Sequence, residues 1–150
     1  MDKCFTFLKG KKRPKSVVIF EALGDLDELN AALGLARAFA NKNLNQQILK
    51  LQDELIEIGG FLSGMKKVDL KEKTTLLEEK IKPLVRPKVR TFSRPGINKV
   101  SAFLHLARAT CRRLERRTTK LKEKSKKPLV PYFNSLSKLL FWLAKKEEKI

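Results

Sequence analysis

Four polar residues, spaced three, four and three apart, form the sequence pattern most able to do chemistry. They are His105, Arg108, Arg112 and Glu115, and Arg113, Arg116 and Arg117 add charge beside them. At 3.6 residues per turn, this spacing places the four side chains along one face of a helix. Arginine presents a planar fork of N–H donors that binds phosphate or carboxylate bidentately. The pattern indicates an anion site, although helical arginines also pair with acids or face solvent.

A set of acidic residues upstream provides possible partners for these arginines. Asp25, Asp27 and Glu28 lie together in a segment that also has helical apolar spacing. We therefore expect an Asp–Arg pair between the two helices, either buried or at an interface.

Apolar residues recurring every three or four positions predict five helices. The first is expected to follow Gly24, with Asp25 as N-cap, and the second to run over 44–62 and end at Gly64. The third is expected to start at Asp69.

Proline marks the fourth helix start, because Pro95 suits the first helical turn, and the fifth helix follows from residue 129. Residues 86–94 are predicted to form a loop, and residues 1–20 a basic arm with a short strand over 16–20. Long helices with short connections predict a single all-α domain over 1–150, a five-helix bundle of antiparallel helices with ferritin-like packing.

Composition limits the classes of function. The net charge is +18, from 34 Lys and Arg against 16 Asp and Glu, which indicates an anionic partner or a lysine-rich solvated surface. No apolar run approaches the roughly 18 residues of a membrane span, and no signal peptide is evident, so a cytoplasmic location is expected. One histidine and two cysteines exclude a His-rich metal site, and no direct metal motif is present.

Four segments, in order, resemble motifs of the trimeric ATP:cob(I)alamin adenosyltransferases of the propanediol-utilisation type. Residues 24–30 are similar to the family's Gly-Thr-Val-Asp-Glu-Leu-Asn, and residues 105–116 to its His-x-Ala-Arg-x-x-x-Arg-Arg-Ala-Glu-Arg helix. Residues 132–137 resemble Tyr-x-Asn-Arg-Leu-Ser, and residues 92–96 resemble Phe-x-Leu-Pro-Gly-Gly. The resemblance implies transfer of the adenosyl group of ATP to the cobalt(I) of cobalamin, with triphosphate leaving. It also implies a homotrimer with Mg²⁺, ATP and a corrinoid, and a corrinoid reductase and an adenosylcobalamin-dependent mutase as partners.

The resemblance also implies roles for individual residues. By motif position, Arg112 would bind the triphosphate, and Arg108 would pair with Asp27 across the subunit interface. Phe92 would lie against the corrin ring.

The remaining implied roles concern the nucleotide. Glu115 and Asn134 would complete the nucleotide and metal environment, with Mg²⁺ near Glu115. Lys15 falls on a family lysine that contacts ATP, and Lys11 is assigned to the same nucleotide site. For Phe92, Asn134 and Lys15, ordinary core, local hydrogen-bonding and solvated roles remain open alternatives.

The chain departs from the family pattern in two places that bear on ATP. The glycine-rich Thr-Gly-Asp-x-Gly-x-Thr loop, which wraps the triphosphate with backbone N–H groups, is not found in residues 1–150. Lys138 stands where the family's Asn-Arg-Leu-Ser-Asp segment, which continues the motif at residues 134–137, carries its acid. Both changes are expected to weaken ATP binding, and the basic residues of 9–15 and Lys138 are candidates to compensate in part.

Three functions fit the sequence. The first is a corrinoid adenosyltransferase, and the second is a catalytically degenerate relative that binds a corrinoid or a nucleotide. The third is a basic helical nucleic-acid-binding protein, which is disfavoured because aromatic residues are not interleaved with the basic ones.

Overall fold

In a computed structural model, residues 5–14, 17–88 and 94–149 are described, and they form five α-helices preceded by a β-hairpin. The hairpin strands are β1 (Phe5–Leu8) and β2 (Lys11–Pro14), and the helices are α1 (Val18–Phe39), α2 (Lys42–Leu62), α3 (Leu70–Ile81), α4 (Lys99–Thr118) and α5 (Leu129–Glu147). Short 3-10 turns at Lys82–Leu84 and Lys124–Lys126 follow α3 and precede α5. The predicted all-α bundle is confirmed.

Side-chain caps set the start of three helices. Asp69 accepts a hydrogen bond from the backbone N–H of Glu72 at 3.0 Å, as the sequence predicts for α3. Asn41 caps α2 in the same way. After α2, Gly64 adopts a φ of 72°, a left-handed conformation that glycine reaches without strain.

Two predicted helix starts are wrong. Helix α1 begins at Val18, so that Gly24 and Asp25 lie inside it and Asp25 caps nothing. A single helical glycine costs only about 1 kcal/mol, and packing of the first turns, where Ala22 is fully buried, overrides it. Helix α4 begins at Lys99 rather than at Pro95, because Asn98 supplies the cap by accepting from the Ser101 N–H at 2.9 Å.

The N-terminal region differs from the predicted arm. The strand expected over 16–20 is absent, since residues 18–20 already belong to α1. Instead, β1 and β2 pair antiparallel, with Leu8 opposite Lys11. Lys9 and Gly10 form the two-residue turn with φ values of 51° and 72°, the conformation that tight hairpins require.

The helices form a ring in which α3 and α5 run parallel, since Glu78 lies near Ser135 and Leu84 near Trp142, and the other neighbouring helices run antiparallel. Helix α1 packs between α2 and α4, and α5 packs between α4 and α3. Lys73 of α3 reaches Glu54 and Glu57 of α2, at 3.4 and 3.2 Å, which closes the ring. The ring surrounds one apolar core, to which all five helices contribute. Its fully buried large side chains include Leu29, Leu33, Ile48, Leu55, Ile58, Leu77, Leu104, Leu114, Tyr132 and Phe133.

The expected Asp–Arg pairing joins α1 to α4, and its acid is Asp25. This residue is 6% exposed, and its two carboxylate oxygens accept from Arg113 Nε at 2.8 Å and from Arg117 Nε at 2.5 Å. Glu28 and Glu21 bind the outer ends of the same two arginines. The hydrogen bond to Asp25 raises the pKa of Arg113 above its usual value. These pairs hold α4 at a set position along α1.

Replacing Asp25 with alanine should reduce the free energy of unfolding by about 2 kcal/mol, because two charge-assisted hydrogen bonds are lost at a buried acceptor. Chemical denaturation of both proteins measures the difference. Asp53→Ala, at an exposed position of α2, is the matched control and should stay within about 0.5 kcal/mol of the parent. Equal losses in the two variants would contradict the structural role of Asp25.

Candidate active site

Helices α4 and α5 form a basic, partly aromatic cavity on the side of the bundle, which we name the arginine pocket. Its volume is about 280 Å³, and it is lined by Arg108, Arg112, Ser137, Lys138, Phe141 and Trp142. The arginines are one turn apart on α4, and the other four residues come from two turns of α5. The pocket offers cationic N–H donors next to two aromatic rings.

Arg112 is the more exposed of the two arginines in the pocket. Its side chain is 50% exposed, and one of its terminal nitrogens lies 3.2 Å from Glu115 Oε2, one turn along α4. That contact leaves most of the guanidinium donors free to bind an anion. Glu115 therefore acts within this structure as a support for Arg112.

Arg108 has a hydrogen-bond donor that nothing in the described part of the chain satisfies. It is half-buried, and its Nε atom is buried without a hydrogen-bond partner among the described residues. Asp27, the partner implied by the resemblance, is exposed on α1 and is not paired with Arg108 within the single chain. The aspartate of α1 that pairs with arginines of α4 within the chain is Asp25.

The other predicted nucleotide residues are spread over the structure. Asn134 is half-buried on α5, one turn before Lys138, and its backbone carbonyl accepts from Ser137 Oγ at 2.8 Å. Lys11 lines a different cavity, of about 390 Å³, between the hairpin and the ends of α2 and α4. Lys15 and Phe92 lie outside the described residues, and their predicted roles stay predictions.

His105 lies beneath the arginine pocket in a buried polar cluster. Its Nε2 donates to Glu148 Oε1 at 2.8 Å, and Lys145 Nζ donates to the other carboxylate oxygen at 2.7 Å. The histidine and glutamate side chains are only 3% and 5% exposed. The imidazole also meets the ring of Phe141 edge-on, with centroids 6.3 Å apart. The cluster fixes the end of α5 and one wall of the pocket.

Sequence reasoning missed the aromatic wall of the pocket. The spacing could have indicated this wall, because Phe141 and Trp142 follow Lys138 by three and four residues and therefore lie beside it on a helix. The prediction of the fifth helix relied instead on its leucines. Trp142 also borders a neighbouring cavity of about 340 Å³. That cavity is lined by Pro83, Leu84, Arg86, Trp142, Lys145, Lys146 and Lys149.

The described residues around the pocket do not form an acid–base or nucleophilic centre. Burial raises the pKa of the Cys111 thiol far above its usual value, so that the side chain stays a neutral core group. The Ser137 hydroxyl is buried and donates to a backbone carbonyl. No group of three acidic, histidine or cysteine residues suited to holding a metal occurs among the residues described.

These observations define a helical-bundle protein with a cationic pocket suited to an anionic group beside two aromatic side chains. The family model for cobalamin adenosyltransferases matches residues 2–147, and the chain belongs to this family. The corrinoid adenosyltransferase of Bacillus subtilis is 33% identical over 157 residues, which cover 96% of this chain and 81% of that protein. The human corrinoid adenosyltransferase is 32% identical over 162 residues, which cover 96% of this chain and 65% of that protein.

Solved structures give the same result. A PduO-type ATP:corrinoid adenosyltransferase from Lactobacillus reuteri, an arginine-to-lysine variant in complex with ATP, superposes with a TM-score of 0.87 at 29% identity. A phenylalanine-to-alanine variant of that protein, in complex with cobalamin and ATP, has the same TM-score at 28% identity. Both matches cover 98% of this chain and 90% of the other. In the parts of this chain that are described, none of the helices has the length and apolarity required to cross a bilayer.

Acid should weaken the His105–Glu148–Lys145 cluster. Burial alone would raise the pKa of Glu148, but the hydrogen bonds from Lys145 and His105 outweigh it, and the pKa lies below its usual value. The ionised carboxylate therefore stabilises the fold above the unfolded-state pKa of about 4.3, and this contribution is lost as the pH falls through the folded-state pKa.

The difference in unfolding free energy between the parent and Glu148→Gln should be constant above about pH 5 and shrink below about pH 4. Denaturant titrations from pH 7 to pH 3 measure it. Glu147→Gln is the control, because its side chain takes no part in the cluster. A difference that grew on acidification would show that the neutral form of Glu148 is the stabilising one.

Proposed function

We propose that this chain is an ATP:corrinoid adenosyltransferase, which transfers the 5′-deoxyadenosyl group of ATP to the cobalt(I) of a reduced corrinoid. The single observation that carries the proposal is the arginine pocket, with its cationic and aromatic walls, in a bundle that superposes at a TM-score of 0.87 on relatives bound to ATP and cobalamin. The corresponding binding of ATP and a corrinoid by this chain is part of the same proposal.

The reaction makes few demands on side-chain chemistry. The electron pair of cobalt(I) attacks the ribose 5′ carbon, a cobalt–carbon bond forms, and the bond from that carbon to oxygen breaks. Triphosphate leaves with the bonding electrons, and cobalt(I) becomes formally cobalt(III). Because the metal is itself the nucleophile, the protein needs only to align the reactants and stabilise charge on the leaving group. A pocket with cations and no base suits that task.

Arg112 is assigned to the triphosphate. Its half-exposed guanidinium has donors to spare, and Glu115 orients it from one turn away. Mg²⁺ accompanies the phosphates of ATP, since the described residues offer no metal cluster of their own, and Glu115 is the carboxylate placed to approach it. Asn134 is assigned to the nucleotide, one turn before Lys138 on α5.

The corrinoid is assigned to the aromatic side of the pocket. Phe141 and Trp142 present apolar surface there, and Trp142 continues into the neighbouring cavity with Pro83 and Leu84. A planar macrocycle placed along this surface lies next to the arginines, as transfer between the two substrates requires. Phe92 is assigned to the same surface by resemblance alone.

We further propose that the complete site forms between copies of the chain in a homotrimer. Arg108 Nε is buried without a partner among the described residues, while Asp27 is exposed and able to reach a second copy. Lys11 lines a cavity that shares no residue with the arginine pocket, so a nucleotide role for Lys11, and for Lys15 nearby in sequence, requires a neighbouring chain.

The remaining expectations concern the cellular context. A cobalt(I) substrate requires a reductase, and an adenosylated product serves a mutase that depends on it, so both are proposed as partners. A cytoplasmic location is proposed with them. The net charge of +18 leaves nucleic-acid binding as the competing reading.

An anaerobic assay with chemically reduced cob(I)alamin and Mg-ATP tests the proposal. Loss of cob(I)alamin absorbance with formation of adenosylcobalamin and inorganic triphosphate is the expected result. If there is no turnover but ATP or cobalamin raises the melting temperature, the chain is a binding module without the activity. If neither ligand has an effect and binding to DNA falls steeply with salt, the nucleic-acid reading replaces the proposal.

Replacing Arg112 with alanine should lower kcat/KM about 100-fold or more, because a donor to the leaving triphosphate is removed. The same absorbance assay measures it, and the melting temperature should change little, since the side chain is half-exposed. Arg116→Ala, on an exposed position of the same helix, is the matched control and should keep the parent activity. Full activity in the Arg112 variant would remove this residue from the site.

Replacing Asp27 with asparagine should weaken the trimer, because the charge that compensates the half-buried Arg108 of the neighbouring copy is lost. Sedimentation velocity over a dilution series should show dissociation at about tenfold higher protein concentration than for the parent. Asp53→Asn serves as the control at an exposed site of α2. A parent protein that sediments as a monomer at all concentrations would refute the proposed interface.

A further inference from the structure

The charged side chains of the arginine pocket carry a net positive charge. Arg108, Arg112 and Lys138 contribute three positive charges, and Glu115, in contact with Arg112, contributes one negative charge, which leaves two positive charges. An acid in place of Lys138 would leave none. One residue of α5 therefore sets the net charge of this group of side chains.

Lys138 is well placed to act on a ligand in this pocket. It is exposed and lines the same cavity as Arg108 and Arg112, and none of the described residues that line this cavity is acidic. The nearest acid on α4, Glu115, is engaged by Arg112 at 3.2 Å. Glu148 of the cluster beneath is bound by Lys145 and His105. The Lys138 ammonium is thus left to neutralise an external anion.

We propose that Lys138 is a substrate-binding residue for the triphosphate, which together with Arg112 forms a subsite for linear polyphosphate. The inference rests on the proposed function, which places the triphosphate at Arg112. It adds that the subsite also binds inorganic triphosphate, so the released product competes with ATP. An ammonium is a compact charge with three rotatable donors, and it binds successive phosphate groups without the fixed geometry of a guanidinium.

The β-hairpin does not contribute to this subsite within one chain. Within a single chain, Lys9, Lys11 and Arg13 of the hairpin line a separate cavity and are not among the described residues that line the arginine pocket. Lys138 is the positively charged residue of α5 that lines the arginine pocket together with Arg112. Lys138 binds the phosphates of the substrate and of the product alike. Its loss should therefore raise KM for ATP more than it lowers kcat.

The test uses the whole purified chain with sodium tripolyphosphate as probe, without Mg²⁺ and at fixed ionic strength. Isothermal titration calorimetry gives the affinity, and the emission of Trp142 reports where the anion binds, because it is the single tryptophan of the sequence and lines the arginine pocket. Lys138→Asp reverses the charge and Lys138→Met removes it. Lys127→Asp is the matched control, since it changes the net charge by the same amount at an exposed position outside the pocket.

We expect the parent to bind tripolyphosphate with a change in Trp142 emission. Lys138→Asp should weaken this binding about tenfold or more, Lys138→Met should weaken it less, and Lys127→Asp should leave it within about twofold. In the adenosylation assay, KM for ATP should rise in the same order, and inhibition by tripolyphosphate should be relieved. The melting temperatures should match, because both lysines are exposed.

Two results would overturn the inference: equal losses in Lys138→Asp and Lys127→Asp, or binding in the parent that leaves Trp142 emission unchanged. The outcome is separable from that of the proposed function. If adenosylcobalamin forms and Lys138→Asp binds tripolyphosphate as tightly as the parent, the subsite is wrong and the activity stands. If no adenosylcobalamin forms but the loss at Lys138 is observed, the subsite stands without the activity.

Discussion

The buried carboxylate of Asp25 is the constraint on which the arrangement of α4 depends. That helix carries five arginines within residues 108–117, and such a charge density cannot be packed beside an apolar core without partners. Asp25 binds Arg113 and Arg117 and ties them to α1. Because successive residues of a helix are about 100° apart, Arg108 and Arg112 then face α5 instead. The structural and the ligand-binding arginines are thereby separated on one helix.

The opposite side of α4 is held by a second polar cluster, at the far end of the site. His105, Glu148 and Lys145 bond to one another in near-complete burial, and the imidazole supports the ring of Phe141. A pocket whose walls are fixed in this way keeps its donors oriented before a ligand arrives. Preorganised donors of this kind are what stabilisation of a leaving group requires, because they need little rearrangement during the reaction.

Membership of the cobalamin adenosyltransferases explains why the site contains so little reactive chemistry. In the part of the chain that the structure describes, the pocket has no conventional nucleophile, because Cys111 is buried and neutral and the Ser137 hydroxyl is bound to a backbone carbonyl. Cobalt(I) makes one unnecessary. The lysine at position 138 places positive charge where the resemblance led us to expect an acid.

The sequence by itself determined the helices and the family. Apolar periodicity identified all five helices, because burial of one face leaves a 3.6-residue repeat that can be read without coordinates. It located the Asp69 cap, but it misplaced the starts of α1 and α4, where packing overrode Gly24 and Asn98 capped the helix in place of Pro95. Local signals of this size, about 1 kcal/mol each, are easily outweighed by tertiary contacts.

Only the tertiary structure decided which charges meet. Spacing placed His105, Arg108, Arg112 and Glu115 on one face, but it did not show that Arg113 and its neighbour one turn on bind Asp25, or that His105 is bound to a glutamate 43 residues away. It likewise gave no sign that two aromatic residues of α5 form the wall opposite the arginines. Pairings between distant segments depend on how the helices cross and in what register, and these are properties of the packed bundle rather than of any one helix.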